Sequence, residues 1–129
     1  MAPIVRFRRL VPGSVLIVDG DESLIQSLRG LITDPDIVLD GAAAAAEANS
    51  LLDQRPYCGM LLALTLRDGS GLDVLRHLAE THHDVPAVIL VDRELSTRFD
   101  ERQVKLLFAK PLEPRVAAAV VKGLCGVAA

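Results

Sequence analysis

Apolar runs and helically spaced apolar positions alternate along the chain. Val15 to Val18 is a short β-branched run between Pro12-Gly13 and Asp19-Gly20-Asp21, and it predicts a buried strand. Leu24, Ile25, Leu28, Leu31 and Ile32 recur at helical spacing, so a helix is expected over Glu22 to Ile32, capped by Asp21 or Ser23. Asp34-Pro35-Asp36 breaks it. A second strand is expected at Ile37 to Leu39, and an alanine-rich covering helix at Ala42 to Asp53. Met60 to Leu64 predicts a third strand, Asp68 to Gly71 a loop, and Leu72 to Thr81 a helix with one apolar face. A fourth strand follows at Ala87 to Val91. Asp92 to Gln103 is polar and weakly periodic, so any helix there is short. Val104 to Ala109 reads as a fifth strand and Leu112 to Leu124 as a last helix. Short strands without polar alternation imply an α/β fold whose parallel sheet is covered on both faces.

Composition narrows this picture. A chain of 129 residues, 50% hydrophobic, makes one domain with a sizeable core. Aromatics are 3% and Trp is absent, so that core is built of Leu, Val, Ile and Ala. The net charge of −3 is spread along the chain and gives no argument for nucleic acid. No apolar run approaches the ~20 residues of a membrane span. Arg6, Arg8 and Arg9 lie in an expected leader (residues 1–13) and are not followed by a long apolar stretch, so no signal peptide is expected, and they read as a solvated tail rather than a binding arm. Cys58 and Cys125 are too few for a disulfide framework and read as small apolar residues. His82-His83 reads as a solvated loop pair. A soluble cytoplasmic domain is expected.

In such sheets ligands bind at the carboxyl ends of the strands. Those ends carry Asp19-Gly20-Asp21, Ala63-Leu64-Thr65, Val91-Asp92 and Lys110-Pro111. Val15 to Asp19, Leu66 to Gly71, Val85 to Leu90 and Lys110-Pro111-Leu112 together resemble the receiver domain of two-component response regulators, across about residues 14 to 125. Residues 126–129 are left as a tail. The resemblance implies a doubly wound, flavodoxin-like sheet of five parallel strands in order 2-1-3-4-5, in keeping with right-handed crossovers. It implies a cis Lys110-Pro111 bond. It also implies phosphoryl transfer from a histidine kinase to an aspartate on the third strand, assisted by Mg²⁺, by a lysine on strand five and by a Thr or Ser ending strand four.

The sequence departs from that set. The position resembling the phosphoacceptor is Ala63, and a methyl group cannot attack phosphorus. Gly20 stands where a second acid would bind the metal. Val91 stands at the hydroxyl position and Leu107 at the aromatic one, while Asp92 adds a carboxylate that repels a phosphodonor. Asp19 and Lys110 remain, and are expected to pair with each other. Asp21 is expected to serve the helix start and Asp68 the turn before Gly69. A residual metal site from Asp19, Asp21 and Asp92 is the weaker reading, since Mg²⁺ wants several oxygens in octahedral arrangement. The expectation is an atypical receiver: not an enzyme, without cofactor, acting through protein partners or as a homodimer. The face expected to meet them is that of the fourth helix, fifth strand and fifth helix, with Leu107, Val116, Val120 and Val121 on it. Phosphorylation at a non-standard residue, or sensing of a small molecule or metal in the vacant pocket, are the alternatives.

Overall fold

The computed structural model describes residues 13–81, 84–91, 104–110 and 112–126, with side chains left aside at 104–107 and 109. The cis Lys110-Pro111 bond, the segment after Val91, Asp92, His82-His83, most of the leader with its arginines and nearly all of the C-terminal tail fall outside the described residues. So does the side chain of Leu107.

The strands are β1 (Gly13–Val18), β2 (Ile37–Ala42), β3 (Gly59–Ala63), β4 (Thr65–Leu66), β5 (Gly69–Ser70), β6 (Ala87–Val91) and β7 (Val104–Ala109). The helices are α1 (Ser23–Leu31), α2 (Ala45–Gln54), α3 (Gly71–Thr81) and α4 (Pro114–Leu124). Five strands form one parallel sheet in the order β2-β1-β3-β6-β7, which is the 2-1-3-4-5 order expected. Strand alternation divides the core in two. Leu16, Val18, Met60, Leu62 and Ile89 point to the side of α2 and α3. Val15, Ile17, Leu61 and Val88 point to the side of α1 and α4. The β1, β3 and β6 positions are closed on both faces, which is why these runs carry no polar alternation.

Several boundaries differ from the sequence reading. The second strand runs on through Asp40, Gly41 and Ala42, and α2 begins only at Ala45. Alanine propensity loses there to ladder pairing, because Gly41 and Ala42 lie opposite Ile17 and Val18. The third strand spans Gly59–Ala63, so Leu64 lies outside it. The expected loop after it contains a two-stranded antiparallel ribbon, with Thr65 opposite Ser70 and Leu66 opposite Gly69. Gly69 takes a φ of +148°, which glycine adopts without strain. The last helix starts at Pro114, where a missing N–H costs nothing, rather than at Leu112.

A further correction concerns α4. Val121 is fully buried between α1 and the sheet, beside Ala117 and Ala118, and cannot belong to a partner surface. The buried stripe of this helix is Ala117, Ala118 and Val121. Val116 is exposed and Val120 partly so.

At the sheet edge, Asp40 on β2 accepts hydrogen bonds from the Tyr57 hydroxyl at 2.7 Å and from Arg55 Nη1 at 2.8 Å. Burial and the neighbouring Asp40 carboxylate hold the Tyr57 hydroxyl well above its ordinary range. These contacts tie the chain after α2 back onto β2. Among the described residues no helix is long and apolar enough to cross a membrane.

Candidate functional site

The carboxyl ends of β1, β3 and β7 meet in one place. The register pairs Val18 with Leu62, which sets Asp19 level with Ala63. Lys110 follows β7 and is anchored by its N–H donating to the Val91 carbonyl at 2.6 Å. Its ammonium then reaches the Asp19 carboxylate with Nζ 3.1 Å from Oδ1 and 3.0 Å from Oδ2. Asp19 is the one buried charged residue among those described, with 5% of its side chain exposed. Such a carboxylate requires a partner. Lys110 supplies it, and the Asp21 N–H donates a further bond to Oδ1 at 3.0 Å.

Asp21 faces outward. Its Oδ1 accepts the Ser23 N–H at 3.0 Å, in the first turn of α1. The Ser23 backbone and hydroxyl bonds lower the Asp21 carboxyl below its ordinary value, with Lys110 a minor contributor. The formal cap residue, Glu22, makes no side-chain cap bond, so Asp21 does that work one residue earlier. Gly20 brings no side chain, although a β-carbon there would meet its nearest neighbour, Arg67 Cγ, at an ordinary 3.6 Å. The absent second acid is thus a matter of residue choice and not of space. Ala63 is fully buried. Its carbonyl lies where a β-carbon on Gly71 would fall, so α3 can start this close to β3 only with glycine there.

Asp68 has a role the sequence did not disclose. Its two oxygens accept the N–H groups of Ala45 at 2.6 Å and Ala46 at 3.0 Å, at the start of α2. These bonds pull its carboxyl below the ordinary value. The turn expected at this position is present, but the side chain is spent on the helix rather than on chemistry. Arg67 was also not singled out; its Nε donates to the Gly20 carbonyl at 3.3 Å. Its place in the loop after the third strand was the available signal. Asp19, Gly20, Asp21, Thr65, Leu66, Arg67 and Lys110 line an open cleft of about 370 Å³.

Val91 ends β6 with a buried, hydroxyl-free side chain. Asp92 and Leu107 cannot be placed against the site, lying outside the described residues in whole and in side chain respectively. The Mg²⁺ that the resemblance implies needs several oxygen donors in a tight octahedron. Both Asp19 oxygens are held by Lys110, Gly20 and Ala63 offer no side-chain oxygen, and Asp21 is turned to α1. Among the described residues no three His, Cys, Asp or Glu side chains are grouped to hold a metal. These residues do not fit the ion, and no step runs through it here.

Comparison with known proteins bears on the family and the fold. The family model described as "Response regulator receiver domain" matches residues 15–121, and the chain belongs to that family. It is 35% identical over 77 residues to the photosynthetic apparatus regulatory protein RegA of Cereibacter sphaeroides, covering 60% of this chain and 42% of that protein. It is 39% identical over 75 residues to the probable transcriptional regulatory protein y4xI of Sinorhizobium fredii, covering 58% of this chain and 32% of that protein. The chain thus spans less than half the length of these curated relatives. Among solved structures it is similar to a sensor protein from Polaromonas sp. JS666, with TM-score 0.74, 21% identity and coverage of 88% and 96%. A signal receiver domain of an HD domain-containing protein from Pseudomonas fluorescens Pf-5 gives TM-score 0.76 at 18% identity, with coverage of 89% and 95%. These two likenesses speak for the fold alone.

Proposed function

We propose that this receiver domain transmits its signal through protein–protein contact, without phosphorylation at the end of β3. The carrying observation is the pairing of a buried Asp19 with Lys110, beside a methyl group at Ala63. A receiver reaction needs a carboxylate nucleophile, a metal-neutralised phosphoryl group and a free lysine to receive it. Ala63 removes the first. Gly20 removes a donor for the second. Asp19 occupies the third. The domain is then no enzyme and needs no cofactor, and its place is the cytoplasm, with two-component partners. Val116 and Val120 remain the apolar residues of α4 available to such a partner.

The test is incubation with a small phosphodonor and Mg²⁺, read by intact mass. The mass is expected to stay unchanged. A gain of one phosphoryl group would overturn the reading, and mapping it would identify a non-standard acceptor. Ala63→Asp alone is expected to restore little, because catalytic groups act as a unit and Gly20 and Val91 stay as they are.

A further inference from the structure

Cys58 and Cys125 are far apart in sequence but meet at the end of the sheet opposite Asp19. Cys58 precedes β3, with its N–H donating to the Ser14 carbonyl on β1 at 2.7 Å. Cys125 follows α4, with its N–H donating to the Val121 carbonyl at 3.1 Å. Between them stands Gly13. A β-carbon on Gly13 would fall 2.7 Å from the Cys125 sulfur and 3.2 Å from the Cys58 sulfur. Both sulfurs therefore flank a single point, in the space a larger residue would fill. Both cysteines are half-buried, so small reagents reach them. We propose that Cys58 and Cys125 form an oxidation site, closing to an intramolecular disulfide that fastens the end of α4 to the foot of β1 and β3.

Desolvation, and then the neighbouring Cys58, push the Cys125 thiol up to about 12. Exchange can open at either thiol of the pair and closes at the other. The oxidant is a low-molecular-weight disulfide. One protein thiol gives up its proton and attacks a sulfur of the small disulfide, releasing one small thiolate that takes up a proton. The second protein thiol then attacks the mixed disulfide at the protein sulfur, its proton passing to the second small thiolate as it leaves. Two protein thiols lose two hydrogens, and one small disulfide becomes two small thiols. With both sulfurs this close to one point, rotation of the two side chains can bring them into bonding range without moving the backbone far. This site is independent of the phosphorylation reading, since it lies at the other end of the strands.

The experiment treats the domain with oxidised glutathione, alkylates the remaining thiols and measures intact mass and peptide map. The expected product lacks two hydrogens, takes no alkyl group and yields one linked peptide pair containing Cys58 and Cys125. Its Tm is expected to rise by several degrees and to return with dithiothreitol. Cys125→Ala and Cys58→Ala are each expected to stop at a glutathione adduct on the remaining cysteine. A stable glutathione adduct on the unmodified chain, a disulfide between two chains, or two thiols that stay open to alkylation would each overturn the proposal. Should either variant fail to fold, the peptide map of the unmodified chain decides alone.

Discussion

Lys110 shows what one side chain does for a buried carboxylate. A buried carboxylate left alone is costly, and removing one partner of a buried pair typically costs 3–5 kcal/mol. A quarter of the Lys110 side chain is exposed, which places the effect near the lower bound. Lys110→Met is therefore expected to destabilise the domain by about 3 kcal/mol in urea unfolding. Adding Asp19→Asn removes the stranded charge, and the double variant is expected to regain at least about 1 kcal/mol over Lys110→Met. Equal stability of the single and double variants would mean that the stranded Asp19 charge is not the source of the loss. The pairing was legible in the sequence because only Asp19 and Lys110 survived from the receiver set at the strand ends. Asp21 was legible too, as a helix-start acid. Val121 was not: its neighbours on the helix are nearly all apolar, and composition alone cannot say which of them faces the sheet.

At the scale of elements, α2 has an alanine at its cap position and no side-chain cap of its own. Its first N–H groups would go unpaired without help. Asp68 supplies that help from the ribbon of β4 and β5, while Glu47 Oε1 accepts the Ala43 N–H at 3.0 Å. Sequence patterns find caps next to their helices, and this one arrives from a loop beyond the next strand, so it was hidden. The same short-range logic placed the helix start too early, since Gly41 and Ala42 are strand residues only because β1 lies beside them. Asp68→Ala is expected to lower Tm at neutral pH. The folded-state carboxyl lies below its ordinary 3.8, so its contribution is present above that value and lost as pH falls through the lowered one. The Tm difference between the two proteins is expected to hold from pH 7 to about pH 5 and to shrink toward zero in stronger acid. A difference that persists unchanged at the acid end would point to packing rather than to the charged cap.

For the whole molecule, the strand order came from the receiver resemblance, while the parallel arrangement was legible because each short apolar run is separated from the next by a crossover of about helix length. The ribbon was not, since two-residue strands leave no periodic trace. A receiver pocket with a full acidic set stores repulsion, up to about 4 kcal/mol for two carboxylates ~4 Å apart at an effective dielectric of 20. Mg²⁺ relieves it. Here Ala63 and Gly20 take carboxylates away and Lys110 neutralises Asp19 within the chain. Melting measured across millimolar Mg²⁺ is expected to show no rise beyond that given by Ca²⁺ or matched salt. A specific rise of several degrees would mean that the acidic residues do assemble a site.

The tie from Asp40 to Tyr57 and Arg55 has a consequence for how the molecule behaves in a crowd. Among the described residues β2 is the last strand on its side of the sheet, so the outer row of its backbone groups pairs with no described strand. Such a row invites a strand from another copy, and an inward-facing charge is one way to refuse it. Around Asp40 the strand reads Ile37, Val38, Leu39, Gly41 and Ala42, so Asp40 is the one charged side chain on it, beside the Arg29 guanidinium that donates to the Leu39 carbonyl. Asp40→Val is expected to cause concentration-dependent self-association, visible by light scattering while the monomer is still folded. A variant that stays monomeric at high concentration would show that the refusal comes from elsewhere.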